Sequence, residues 1–248
     1  MDRKPGFLTG LSHMRRGFGL IVQPRVRRFV IIPLMINIGI FALALWSLVS
    51  ALDTFLARYL IGWPEWLHSA LWLVGAVAAS LLVFLFFSLI ANIVASPFNG
   101  LLAEAVEAHL NGTPSTPATS PTNVVRDIAR GMLGESRKLV YVAIRTLLLL
   151  GVSAVLTFIP VVNLALPWLW FLFGAWMLTF EYLDCPLTNH SQLFPIVLDK
   201  MREHRAMALG FGSSMTVMTL IPGLNFIAMP VGVAGATSMY CAHFSARS

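Results

Sequence analysis

The sequence predicts an all-α integral membrane protein of two long transmembrane helices and two re-entrant (hemi-penetrating) helical hairpins, and three observations carry the prediction. Of 248 residues, 57% are hydrophobic and 11% charged, against about 25% charged in soluble domains, and the mean hydropathy is +0.78. The few charges bound long uncharged stretches. The second half holds an internal repeat: TFIPVVNLALP (Thr157–Pro167) and TLIPGLNFIAMP (Thr219–Pro230) share T-x-I-P-x-x-N followed by a proline, 62 residues apart.

Residues 1–28 form a cytosolic N-terminal segment. They are mostly polar, and no small-residue cleavage site follows the first apolar run, so that run is expected to stay as a span and not to be lost as a signal peptide. It covers residues 29–52, uncharged from Phe29 to Leu52, and about 20 apolar residues suffice for a helical crossing. No Asp, Glu, Lys or Arg occurs between Glu65 and Glu104. A second helix over 67–96 would be roughly 45 Å long, so it crosses with tilt or protrudes into the cytosol. Residues 111–123, NGTPSTPATSPTN, have the composition of a flexible linker.

The hairpins are placed at 139–183 and 206–242, all within one membrane domain spanning 1–248. Pro160 and Pro222 are expected to end one helix and permit reversal, because proline removes a donor and clashes with the preceding turn. Asn163 and Asn225 are expected to cap the second arms. The tips, PVVN and PGLN, carry one Asn each and no charge. That leaves two readings: tips that stop inside the bilayer, tolerated only within protein or beside a watery cavity, or ordinary hairpins with tight turns.

The net charge is +6 and the pI about 9.9. The basic residues flank apolar segments and form no helical stripe interleaved with aromatics, which favours lipid head groups or small anions over nucleic acid. With the crossings above, sixteen of the seventeen Lys and Arg residues share the side of the termini, and Arg58 alone is opposite. The positive-inside rule then makes the termini cytoplasmic. Two cysteines, Cys185 and Cys241, make no disulfide framework. Six histidines lack metal-ligand spacing. There is no Walker A, G-x-S-x-G or H-E-x-x-H sequence, so the chain is read as neither an enzyme nor the holder of a metal or cofactor.

Ser88, Asn92, Ser96 and Asn99 fall at i, i+4, i+8 and i+11, one face of the second span. Beyond Pro97, Glu104 and Glu107 share a face three residues apart. The stripe fits a hydrated pathway leading from a charged vestibule, and it equally fits interhelical bonding, worth on the order of 0.6 kcal/mol per contact. Two carboxylates repel an arriving dianion unless paired, so Arg126, Arg130 or Arg137 are the expected partners. QPRVRRFVIIP, Gln23–Pro33, crowds Arg25, Arg27 and Arg28 at the mouth of the first span. They either anchor the helix to lipid phosphates or hold an oxyanion, which the positive start of a helix also favours.

QPRVRRFVIIP, SPFNGLLAE, WFLFGAWML, YLDCP with NH shortly after, and IPGLNFIAMPV together resemble the CysZ family of bacterial inner-membrane sulfate permeases, over about Gly17 to Tyr240. The resemblance implies a multi-pass protein of the bacterial inner membrane that takes up sulfate for assimilatory cysteine synthesis as an ATP-independent channel or permease. It implies two full-length helices with two hemi-penetrating hairpins, in homo-oligomers built from dimers, with subunits of opposed orientation. In the family a Gly-Leu-Arg type segment binds sulfate; the matching positions here are Arg25, Val26 and Arg27, followed by Arg28, with Arg25 in place of the glycine. The other function class to be weighed is a non-transporting membrane protein that binds anionic lipid or assists assembly of a membrane complex.

Overall fold

Inside a bilayer, backbone N–H and C=O groups have no water to bond, so they must satisfy one another. Among the described residues they do so in helices, with no strand. The structure is a computed structural model; it describes residues 5–113, 124–190, 192, 194–221 and 223–245, with their side chains except at 85–97, 124–136 and 194. The helices are α1 Phe7–Ile21, α2 Arg28–Tyr59, α3 Glu65–Asn111, α4 Val124–Thr157, α5 Leu166–Asn189, α6 Phe194–Glu203, α7 Arg205–Leu220 and α8 Asn225–His243. Arg28–Tyr59, Glu65–Phe84, Arg137–Thr157 and Val162–Asn189 are each long and apolar enough to cross a membrane. The chain groups into two compact units, residues 28–98 and residues 1–27 with 99–248.

In the unit of residues 28–98, α2 runs through Pro33 and past Asp53 to Tyr59, and the reversal into α3 uses Gly62 at φ +82°. Trp72 Nε1 donates to Asp53 Oδ1 at 2.6 Å, giving the carboxylate of this apolar helix pair one hydrogen-bond donor. Ile31, Met35, Ile38, Leu43 and Trp46 are exposed, a surface suited to lipid and not to water. The helical element α3 continues through Pro97 to Asn111; a proline within a membrane helix costs one bond, which neighbouring groups re-satisfy.

In the other unit, α1 and α5 both pack on α7 and α8. The seams are backbone contacts made possible by glycine. A methyl added at Gly10 would run into the Met207 carbonyl, at Gly210 into that of Phe7, at Gly17 into that of Val231, and at Gly212 into that of Ala175, so only a missing Cβ permits these crossings. Two polar ties lock them. Thr179 Oγ1 donates to the Ala208 carbonyl at 2.6 Å, and His13 Nδ1 shares a 3.0 Å hydrogen bond with Ser238 Oγ.

The two repeats fold alike at their tips. The N–H of Asn163 donates to the Ile159 carbonyl and that of Asn225 to the Ile221 carbonyl, both at 3.2 Å. The residue after each proline has positive φ, Val161 at 69° and Gly223 at 89°. The asparagines do not cap the second arms as expected. The N-cap of α5 is Ala165, after a 3₁₀ turn at Val162–Ala165, and that of α8 is Leu224, neither with a side-chain cap bond. The reversal consumes the asparagines through their backbones and carries each one out of the cap position. Pro160 lies in the turn after α4 ends at Thr157; Pro222 lies outside the described residues.

Burial falls from base to tip along α5 and along both arms of hairpin two, whereas α4 has no buried residue from Arg137 to Thr157. The base halves are covered, at Ala175, Thr179, Phe180 and Leu183 on α5, at Met207–Met215 on α7 apart from Leu209, and at Val231–Tyr240 on α8. The tip halves are bare and apolar: Phe158 is 85% exposed, Val161 77%, Leu220 72% and Phe226 80%.

Candidate functional site

The turn between α1 and α2 is built by one carbonyl. Gln23 O accepts the N–H of Val26 and of Arg27, both at 2.9 Å, which coils residues 23–27 tightly. Val26 is fully buried while Arg25 and Arg27 on either side of it are exposed. The apolar residue is thus an anchor that turns its two neighbours outward. Arg28, also exposed, opens α2 and lies 4.8 Å from the Phe29 ring centroid. Among the described residues Arg25, Arg27 and Arg28 form no ion pair, and the sequence holds no Asp or Glu from Arg3 to Leu52.

A second polar constellation gathers around the last turns of α3. Asn189, at the end of α5, donates through Nδ2 to the Gly100 carbonyl at 2.9 Å. This carries His190 to Glu107, with Nε2 at 2.8 and 3.0 Å from the two carboxylate oxygens. The His190 ring stacks on Tyr240, centroids 5.1 Å apart at 25°. Lys200 lies 5.5 Å from the same Tyr240 ring and donates to the Phe244 carbonyl at 2.6 Å, placing a cation at the C-terminus of α8 where the helix dipole favours one. Glu104, half-buried one turn earlier, has its pKa raised by burial first and by the Glu107 charge second, with His190 opposing.

Among the described residues Glu107 pairs with His190, a partner the sequence reading did not name. The cause is the Asn189–Gly100 clamp, which brings the end of α5 to α3. The side chains of Arg126 and Arg130 lie outside the described residues, and Arg137 is exposed. Of the polar stripe, Asn99 is half-buried, and the side chains of Ser88, Asn92 and Ser96 lie outside the described residues. Asn163 and Asn225 are exposed at the hairpin tips. Sequence reasoning missed Asn189, His190, Tyr240 and Lys200 as a cluster. It also missed Lys138, which ties α4 to α5 through Glu181 at 3.0 Å and Asp184 at 3.1 Å.

The chain matches the family described as sulfate transporter CysZ/etoposide-induced protein 2.4 over residues 13–230. It is 39% identical to a protein of Salmonella paratyphi A named sulfate transporter CysZ, across 94% of this chain and 91% of that one. It is 38% identical, with the same coverage, to the protein of that name from Salmonella typhimurium. With the family match running from α1 into α8 and the relatives aligned over nearly their full length, this chain belongs to the sulfate transporter CysZ/etoposide-induced protein 2.4 family.

Proposed function

We propose that this chain carries sulfate across the bacterial inner membrane as an ATP-independent channel or permease supplying assimilatory cysteine synthesis, and that it is a transporter and not an enzyme. The single observation that carries the reading is the arginine turn: exposed cations flanking a buried Val26, with no acid near them in sequence. Relatives that carry the name sulfate transporter support it. Sulfate is taken at Arg25, Val26, Arg27 and Arg28, where forked guanidinium bonds to an oxyanion contribute roughly 1.5–3 kcal/mol each. It then follows a path lined by Ser88, Asn92, Ser96, Asn99, Glu104 and Glu107. The apolar tips at Pro160–Asn163 and Pro222–Asn225 stop within the bilayer as re-entrant hairpins. The whole acts as one membrane domain in homo-oligomers built from dimers.

Calorimetric titration with sulfate tests the site. Arg27→Lys and Arg28→Lys each weaken binding because an ammonium cannot reproduce a forked pair, while Arg25→Lys does less, since Arg25 stands where the family keeps glycine. Undiminished binding in both of the first two variants makes the arginines lipid anchors and places the sulfate site elsewhere.

A further inference from the structure

Helix α1 has three faces, and packing accounts for only one. Gly10, His13, Gly17, Leu20 and Ile21 are buried on the seam with α7 and α8. At 100° per residue, Phe7, Leu11, Phe18 and Val22 fall at i, i+4, i+11 and i+15 on a second face. Phe7 is 45% exposed and Val22 66%, with Leu11 and Phe18 half-buried. Leu8, 77% exposed, and Arg15 border that face; Ser12, Arg16 and Gly19 make the third. A helix with a spare apolar face beside a cationic one is suited to lie in a membrane interface.

The height of α1 along hairpin two gives the same answer independently. Its glycines meet α7 at Met207 and Phe211 and α8 at Val231 and Gly235. Exposed apolar residues begin just beyond those levels, at Val217 and Leu220 on α7 and at Phe226 on α8. Helix α1 therefore marks the line at which hairpin two passes from protein-covered base to bare apolar tip, which is where a head-group layer meets a partly inserted hairpin.

We propose that α1 lies in the head-group layer, its Phe7–Leu11–Phe18–Val22 face against acyl chains and Arg15 and Arg16 on the phosphates of anionic phospholipid. Charge complementarity selects that lipid. Neither arginine has a carboxylate partner among the described residues, and no acid occurs from Arg3 to Leu52. The inference stands apart from the sulfate site, because Arg15 and Arg16 are not among the residues assigned to sulfate, while the level it gives α1 rests on the proposed reading that hairpin two stops within the bilayer.

The test uses the full chain reconstituted in vesicles of phosphatidylcholine, with or without phosphatidylglycerol. Amide hydrogen exchange across residues 7–22 is expected to slow roughly tenfold when phosphatidylglycerol is present, and Arg15→Gln with Arg16→Gln removes that dependence. Equal exchange in both lipids, or a dependence that survives in the double variant, overturns the proposal. Depth is read with nitroxides at Leu11→Cys and at Ser12→Cys, with Cys185 and Cys241 replaced by alanine. The label at 11 should be relaxed by membrane-dissolved oxygen, and that at 12 by an aqueous nickel complex. Equal aqueous access at both positions, or shielding of position 11 from both relaxants as a second copy would produce, also overturns it. The exchange measurement needs no cysteine substitution and stands if those variants fail to fold.

Discussion

Val161 and Gly223 occupy equivalent positions, each directly after the proline of its repeat, and both have positive φ, 69° and 89°. Glycine accepts this conformation freely; a β-branched residue does not. At Val161, φ 69° with ψ −44° lies outside the regions open to β-branched residues, and such backbone strain costs on the order of 1–3 kcal/mol. Val161→Gly is therefore expected to raise the unfolding temperature, with a gain of about 1 kcal/mol once the added chain entropy of glycine is deducted. Gly223→Val should lower it. A Val161→Gly protein that melts below the parent would show that hairpin one holds its reversal differently.

The docking of α1 should weaken in acid. Burial first, then the charges of His243 and Arg16, lower His13 from 6.5 to about 4. His243 is lowered by burial, His204 and Arg16. His13 faces Ser238 and the His243 ring, centroids 5.3 Å apart. A base whose folded pKa lies below its unfolded one binds more protons when unfolded. The stability it contributes is complete above about 6.5 and is lost as pH falls towards 4. Thermal unfolding between pH 7 and 5 should show a falling midpoint in the parent and a flatter one in His13→Gln; parallel curves would remove His13 as the cause.

Removing the Glu107 charge frees His190 from its carboxylate while leaving the arginine turn intact. Glu107→Gln is expected to lower sulfate flux several-fold and to leave sulfate affinity close to the parent's. Flux that rises or holds steady would take the Glu107–His190 pair off the pathway.

Tips that end within the bilayer are shielded from water on both sides. Val161→Cys and Leu224→Cys should resist membrane-impermeant thiol reagents added to either face of closed vesicles. Fast labelling from the periplasmic face would show that the hairpins cross completely.

The fold was legible where hydrophobicity and charge decide it. The uncharged run Phe29–Leu52 sits inside α2, and T-x-I-P-x-x-N marks both reversals down to a shared Asn-to-Ile backbone bond. Helix α1 was not read as an element, although Gly10, His13, Gly17, Leu20 and Ile21 carry a helical spacing. Glycine and histidine are weak apolar signals, and the seam becomes visible only when α7 and α8 are beside it. The Glu107–His190 pair could not be read, because its members are 83 residues apart and the clamp that joins them is a backbone carbonyl, Gly100 O, which leaves no trace in residue type. Arg25, Arg27 and Arg28 stood out in the sequence as a cluster. The structure adds the buried Val26 that turns the first two outward.

Sulfate entry into liposomes that contain only this purified chain, without ATP or any second protein, tests the account most directly. Radiolabelled sulfate should enter down its gradient far faster than into protein-free liposomes, and Arg27→Lys should slow that entry while reconstituting to the same density. Entry no faster than into protein-free liposomes, with the chain confirmed folded and inserted, would contradict the account and leave the arginine turn as a site for lipid alone.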